Sequence, residues 1–194
     1  MQNAAHSCEK FRRLIQTPDL PDLGPGPRPA RMSLAELNDA VSGFLRETEA
    51  ASALEPPVRA AALLWHDYLD ESHSISQNIH GADGSFLHGI MHRREPDYPN
   101  AKYWFHRVGD HPCYPEIARG IVRLLETAEI SGKRPSKKWA EHLVPGGRWD
   151  PLAFIDACQT AAQRSLGETG RGSLLREIQQ IEFEALLRHI FAAK

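Results

Sequence analysis

The chain is predicted to be all-α, a single-domain helical bundle or helix-hairpin stack of about six to seven helices behind an N-terminal proline-rich arm. Three observations lead there. Apolar residues recur at helical rather than alternate spacing along most of the 194 residues. Helix-start signals, namely a capping box and prolines at first-turn positions, recur ahead of the apolar runs. No alternating run of five or more residues stands out as a strand.

A short helix is expected around Cys8 to Gln16. Thr17 to Arg31 then carries Pro18, Pro21, Pro25, Pro27 and Pro29 with Gly24 and Gly26. Proline removes backbone donors and biases the preceding residue away from helix, so this stretch reads as extended. Residues 1–31 are therefore assigned to the arm and 32–194 to the helical domain. Ser33-Leu34-Ala35-Glu36 has the form of a capping box, with Met32 and Leu37 at staple positions. Leu34, Leu37, Val41, Phe44 and Leu45 carry that helix to about Thr48. The next helix starts at Pro56-Pro57 and is predicted to run unbroken to about Asn78. Further helices are expected over Gly84–Arg94, from Pro99 to near Gly109, and over Pro115–Thr127. Gly132–Gly147 reads as a polar connection, and Lys133, Arg134, Lys137, Lys138 and Arg148 form a small basic stretch read as solvated, with binding of an anionic partner as the minor alternative. Asp150-Pro151 supplies an N-cap and a first position for a helix to about Gln163. Gly167–Gly172 reads as a turn, and Ser173–Ala193 as the last helix.

Composition excludes several classes. Lys plus Arg (23) nearly balances Asp plus Glu (25), a formal charge of −2. No broad cationic surface for nucleic acid follows from that balance. No apolar run approaches the roughly 20 residues of a membrane span. The first residues lack the basic start and apolar stretch of a secretory signal. Cys8, Cys113 and Cys158 are odd in number and lack zinc-type spacing, so reduced thiols and a cytoplasmic location are expected. Phosphate-cradling glycine motifs and the Gly-x-Ser-x-Gly elbow are absent.

Chemistry concentrates between Trp65 and Tyr114. Seven of the ten histidines and all four tyrosines lie in that stretch. At 100° per residue, His66, Asp70, His73 and Gln77 share one stripe of the helix expected over 56–78. His88 and His92, four apart, point the same way from the following helix, with Glu95 close by. If those sides face each other, His66, His73, His88 and His92 become ligands for a divalent zinc, iron or manganese ion. Asp70 or Glu95 would then orient or deprotonate a water, as metal-assisted hydrolysis requires. The same stripes also suit a solvent-facing amphipathic helix, and a His-x-x-x-His pair without the metalloprotease glutamate is a weak motif.

Beyond these, Arg93, Asn100, Tyr103 and Arg107 are candidate ligand-binding residues, able to hold a phosphate or carboxylate near the helix starting at Pro99. Pairing of Arg93 or Arg94 with Glu95, Asp97 or Asp110 is the structural alternative. Cys113, two residues after His111, is a minor nucleophile candidate, because sequence neighbours seldom form a working dyad.

The run His92-Arg93-Arg94-Glu95-x-Asp97-Tyr98-x-Asn100-Ala101-x-Tyr103-Trp104 resembles a segment carried by an uncharacterised protein family. The resemblance covers roughly Trp65 to Pro112, about a quarter of the chain, and implies no activity. Two readings therefore compete. One is a metal-binding helical protein, with metal-assisted hydrolysis as its chemistry. The other is a non-enzymatic interaction module, or a small anionic-ligand binder, that presents Tyr98, Tyr103, Trp104 and Arg107 to a small molecule or partner protein.

Overall fold

The computed structural model describes residues 2–48, 52–130, 137–164 and 170–192. Among them there is no strand, and ten helices follow one another: α1 Gln2–Ile15, α2 Leu34–Glu47, α3 Glu55–Trp65, α4 Leu69–Ser76, α5 Ala82–Arg94, α6 Tyr98–Val108, α7 Tyr114–Ile130, α8 Lys137–Leu143, α9 Pro151–Gln163 and α10 Gly170–Ala192. The all-α expectation holds, but the count exceeds six to seven. The run predicted over 56–78 is two helices, and α8 lies inside the stretch read as a connection. Residues 131–136, with Lys133 and Arg134, and residues 165–169 of the expected turn lie outside the described residues.

Capping sets the helix starts. Ser33 Oγ accepts from the Glu36 amide while the Glu36 carboxylate accepts from the Ser33 amide, so the capping box is formed. Asp150 accepts from the amides of Leu152 and Ala153 at 2.9 and 3.0 Å and starts α9 at Pro151. Asp97 does the same for α6 through the Asn100 amide, so that helix begins at Tyr98. Helix α1 starts at Gln2, well before Cys8, and buries Cys8, Phe11 and Ile15. Phe11, Phe44 and Phe191, with ring centroids 5.2–5.9 Å apart, join α1, α2 and α10.

The break between α3 and α4 has a definite cause. Asp67 adopts φ +63°, a left-handed conformation that ends the helix. Its buried carboxylate is shared between two arginines. Oδ2 accepts from the Arg28 amide at 2.8 Å and from Arg28 Nε at 2.9 Å; Oδ1 accepts from Arg94 Nη2 at 2.6 Å. Arg28 belongs to the proline-rich stretch, so this contact holds that stretch against α3 and α5. Trp65 Nε1 donates to Thr17 Oγ1 (3.1 Å), and Arg94 also donates to the carbonyls of Leu64 and Asp22 at 2.6 and 3.0 Å. Gly26 sits at φ +82°, and a Cβ there would meet Asp67 Cγ at 2.9 Å. Only glycine lets the arm approach the carboxylate this closely.

Helix α5 is buried on every side from Gly84 to Arg94. One flank lies against α6, where a Cβ on Gly89 would meet the Phe105 ring at 2.8 Å. Arg93, fully buried, crosses to α10 and pairs with the equally buried Glu182 at 2.6 Å. Its guanidinium also reaches Gln179 Oε1 at 3.3 Å and covers the Phe154 ring at 4.5 Å.

Removing one partner of a buried pair strands the others without compensation. Asp67→Ala is expected to lower the unfolding free energy by about 3–5 kcal/mol, read from urea denaturation. A loss below about 1 kcal/mol, the level of an exposed pair, would contradict a buried linchpin here.

Candidate metal centre

Breaking the predicted helix at Asp67 decides which imidazoles meet. Helix α4 docks on α3 through buried Leu69, Ser72 and Ser76, with Ser72 Oγ donating to the Ala60 carbonyl at 3.0 Å. This docking sends His73 toward α5. One ligand atom from each of His73, His88 and His92 lies within 4.8 Å of the other two. The His73 ring centroid is 4.6 Å from that of His88 and 5.3 Å from that of His92. His88 and His92 turn their Nε2 atoms to each other at 2.9 Å. Both are buried, at 2% and 6% exposure, so the solvent-facing alternative does not describe this pair.

Neighbouring groups set the orientation of each ring. His92 Nδ1 lies 3.1 Å from Glu95 Oε2, and Asn100 Nδ2 lies 3.1 Å from His92 Nε2. A carboxylate accepts, so the Nδ1 of His92 carries the hydrogen and its Nε2 offers a lone pair. His88 Nε2–H then donates to that lone pair. This leaves His88 Nδ1 as a buried acceptor, and it has no partner. The indole of Trp104 stacks on the His88 ring at 4.0 Å and 25°. Burial, with His92 and His73 alongside, pushes His88 down to about 4. Burial also lowers His92, against the opposing pull of Glu95. Both imidazoles are held neutral, the form in which histidine ligates metals, and His88 Nε2 becomes a ligand in the tautomer that carries its hydrogen on Nδ1.

Two residues expected here lie elsewhere. His66 is fully buried, and both its nitrogens are used at the arm. Nδ1 accepts from the Met32 amide at 3.1 Å and Nε2 bonds to the Ile15 carbonyl at 3.0 Å. Asp70 is exposed on the first turn of α4 and is not among the converging ligand atoms. The stripe that joined them to His73 presumed one continuous helix, which Asp67 interrupts. Glu95 touches His92 rather than standing apart as a free base; its role is to orient a ring.

The ligand-binding group also divides. Asn100 joins the imidazoles. Arg93 is sealed against Glu182 and reaches no surface, because the burial of α5 turns it inward. Tyr103, at 53% exposure, and Arg107 lie outside; the guanidinium sits 5.3 Å from the Trp104 ring centroid and 5.9 Å from that of Tyr103. Cys113 Sγ is 3.0 Å from His111 Nδ1 despite their closeness in sequence. Burial pushes that thiol up to about 12, so it stands protonated. All three cysteines are free and buried.

A second convergence, of Asp83, His111 and His189, escaped the sequence reading. Its members come from three distant parts of the chain, and no spacing signals them. No described helix is long and apolar enough to cross a membrane. No family model, curated protein or solved structure matches this chain.

The depression of His88 gives a signed pH dependence. An unfolded histidine titrates near 6.5, so between about 6.5 and 4 the unfolded chain binds the extra proton. That stability is present above about pH 6.5 and is lost as pH falls toward 4. Thermal melts in chelator across this window should show a falling midpoint, with a shallower slope in His88→Gln. An identical slope in both proteins would contradict the buried neutral imidazole.

Proposed function

We propose that this chain is a metal-binding helical protein whose His73, His88 and His92 hold one divalent transition ion, with metal-assisted hydrolysis as the chemistry it supports. The supporting observation is the contact of two buried Nε2 atoms at 2.9 Å with a third imidazole against both rings. Tetrahedral bonds of about 2.1 Å place ligand nitrogens about 3.4 Å apart, so a small outward movement of the rings admits an ion. That ion would take the place of the hydrogen that His88 Nε2 gives to His92 Nε2, which moves to the unpartnered His88 Nδ1. Three histidines and no direct carboxylate suit zinc better than manganese, which favours oxygen donors. Three protein ligands leave one coordination position for a water or a substrate oxygen, the arrangement of catalytic rather than structural zinc sites. An ion there supplies Lewis-acid polarisation of a carbonyl or phosphoryl oxygen. The chain supplies orientation: Glu95 holds His92, the Trp104 indole holds His88, and Asn100 reaches the same Nε2 edge.

A second reading keeps some support. Tyr103 is exposed, and among the described residues no carboxylate pairs with the Arg107 guanidinium beside it. A small anion or a partner protein that used this face would lose affinity with Tyr103→Ala and Arg107→Ala while metal content stayed unchanged.

Elemental analysis of tag-free protein tests the main reading. His88→Ala and His92→Ala should each contain about one equivalent less transition metal than the parent. Glu95→Gln should keep the ion with about 10–100-fold weaker affinity, the usual cost of losing an outer-shell carboxylate. Equal metal content in parent and His88→Ala would overturn the assignment.

A further inference from the structure

The second convergence has the geometry of another ion site, of different composition. Asp83 Oδ1 lies 2.9 Å from His111 Nε2 and 3.6 Å from His189 Nε2. These separations straddle the roughly 3.4 Å expected between ligands of a tetrahedral ion with bonds of about 2.1 Å. The imidazoles of His111 and His189 meet edge to face, 71° apart with centroids at 4.7 Å, so the rings converge rather than stack. His111 is buried and held rigidly. The Phe86 ring meets it edge-on at 5.2 Å, and its Nδ1 lies 3.0 Å from Cys113 Sγ and 3.3 Å from the Cys113 amide nitrogen. The Asp83 and His189 side chains are about 30% exposed, which leaves a route for an ion and for waters to complete its shell.

We infer that Asp83, His111 and His189 form a second divalent-metal site, a two-histidine, one-carboxylate set that suits zinc or iron(II). Its three protein ligands leave a position for water, and the ion also ties three distant parts of the chain together. The three ligands come from the first turn of α5, the segment between α6 and α7, and the last turns of α10. An ion there fastens the carboxyl-terminal end of the longest helix to the start of the helix that carries His88 and His92. The carboxylate distinguishes it from the all-imidazole centre, because one negative ligand offsets half the charge of a divalent ion. Loading requires the hydrogen on His111 Nε2 to move to Nδ1, which then gives up the bond it accepts from the Cys113 amide and donates to the Cys113 sulfur.

Zinc titration of chelator-stripped, tag-free protein separates the two centres. The parent should bind two equivalents, and His189→Gln one. His189 is a partly exposed position where folding is not at risk, and Asp83→Asn, isosteric, serves as a second variant with the same expected loss. His88→Ala should keep the ion assigned here. Zinc should slow amide exchange at residues 186–192 in the parent and not in His189→Gln. One equivalent in the parent that vanishes in His189→Gln but not in His88→Ala would uphold this site while removing the first. A parent whose zinc uptake and exchange protection are unchanged by both His189→Gln and Asp83→Asn overturns it.

Discussion

Everything in this molecule turns around one buried carboxylate. Asp67 binds Arg28 from the proline-rich stretch and Arg94 from α5, and it does so from a left-handed residue that no helix interior accepts. Two charges taken out of water are costly unless their hydrogen bonds are complete, and here both carboxylate oxygens are occupied. The arrangement shapes local structure as well as holding it. By ending α3, Asp67 frees α4 to change direction, and that change carries His73 onto the imidazoles of α5. The candidate metal centre is thus a downstream result of an ion pair that touches none of its ligands.

Helix α5 shows the same economy of polar groups. Its arginines are sent to opposite partners, Arg93 to Glu182 on α10 and Arg94 to Asp67, while His88 and His92 face α4. A helix that carries two histidines and two arginines inward has little apolar surface left for docking. Phe86, Leu87, Ile90 and Met91 supply what remains, and Gly89 allows α6 to come close. Such burial of charge adds little net stability, but it tolerates few wrong arrangements.

The sequence carried the helix starts legibly because capping is local chemistry. Ser33 with Glu36, and Asp150 with Pro151, act within four residues, so their effect can be read in a short window. The helical class and the pairing of His88 with His92 were legible for the same reason, as was the approach of His73 across a short turn. The break at Asp67 was not. Its cause is Arg28, 39 positions earlier, and nothing between Trp65 and Tyr68 announces it. From that omission came the placement of His66 and Asp70 beside His73. Arg93 was misread in a related way: its partner Glu182 lies 89 residues on, whereas nearby carboxylates seemed the natural choice. Asp83, His111 and His189 depend wholly on tertiary packing and left no periodic trace.

The two consecutive arginines also answer a question about sliding. A helix buried on all sides, with polar and apolar groups distributed around it, has no single greasy stripe to dictate its axial position. Moved by one turn, α5 would place His92 near where His88 stands, and a superficially similar imidazole pair could be imagined. That shift of about 5.4 Å would pull Arg93 from Glu182 and Arg94 from Asp67 at once. Arg93 and Arg94 therefore behave as a vernier, two marks read against separate scales that agree at one setting.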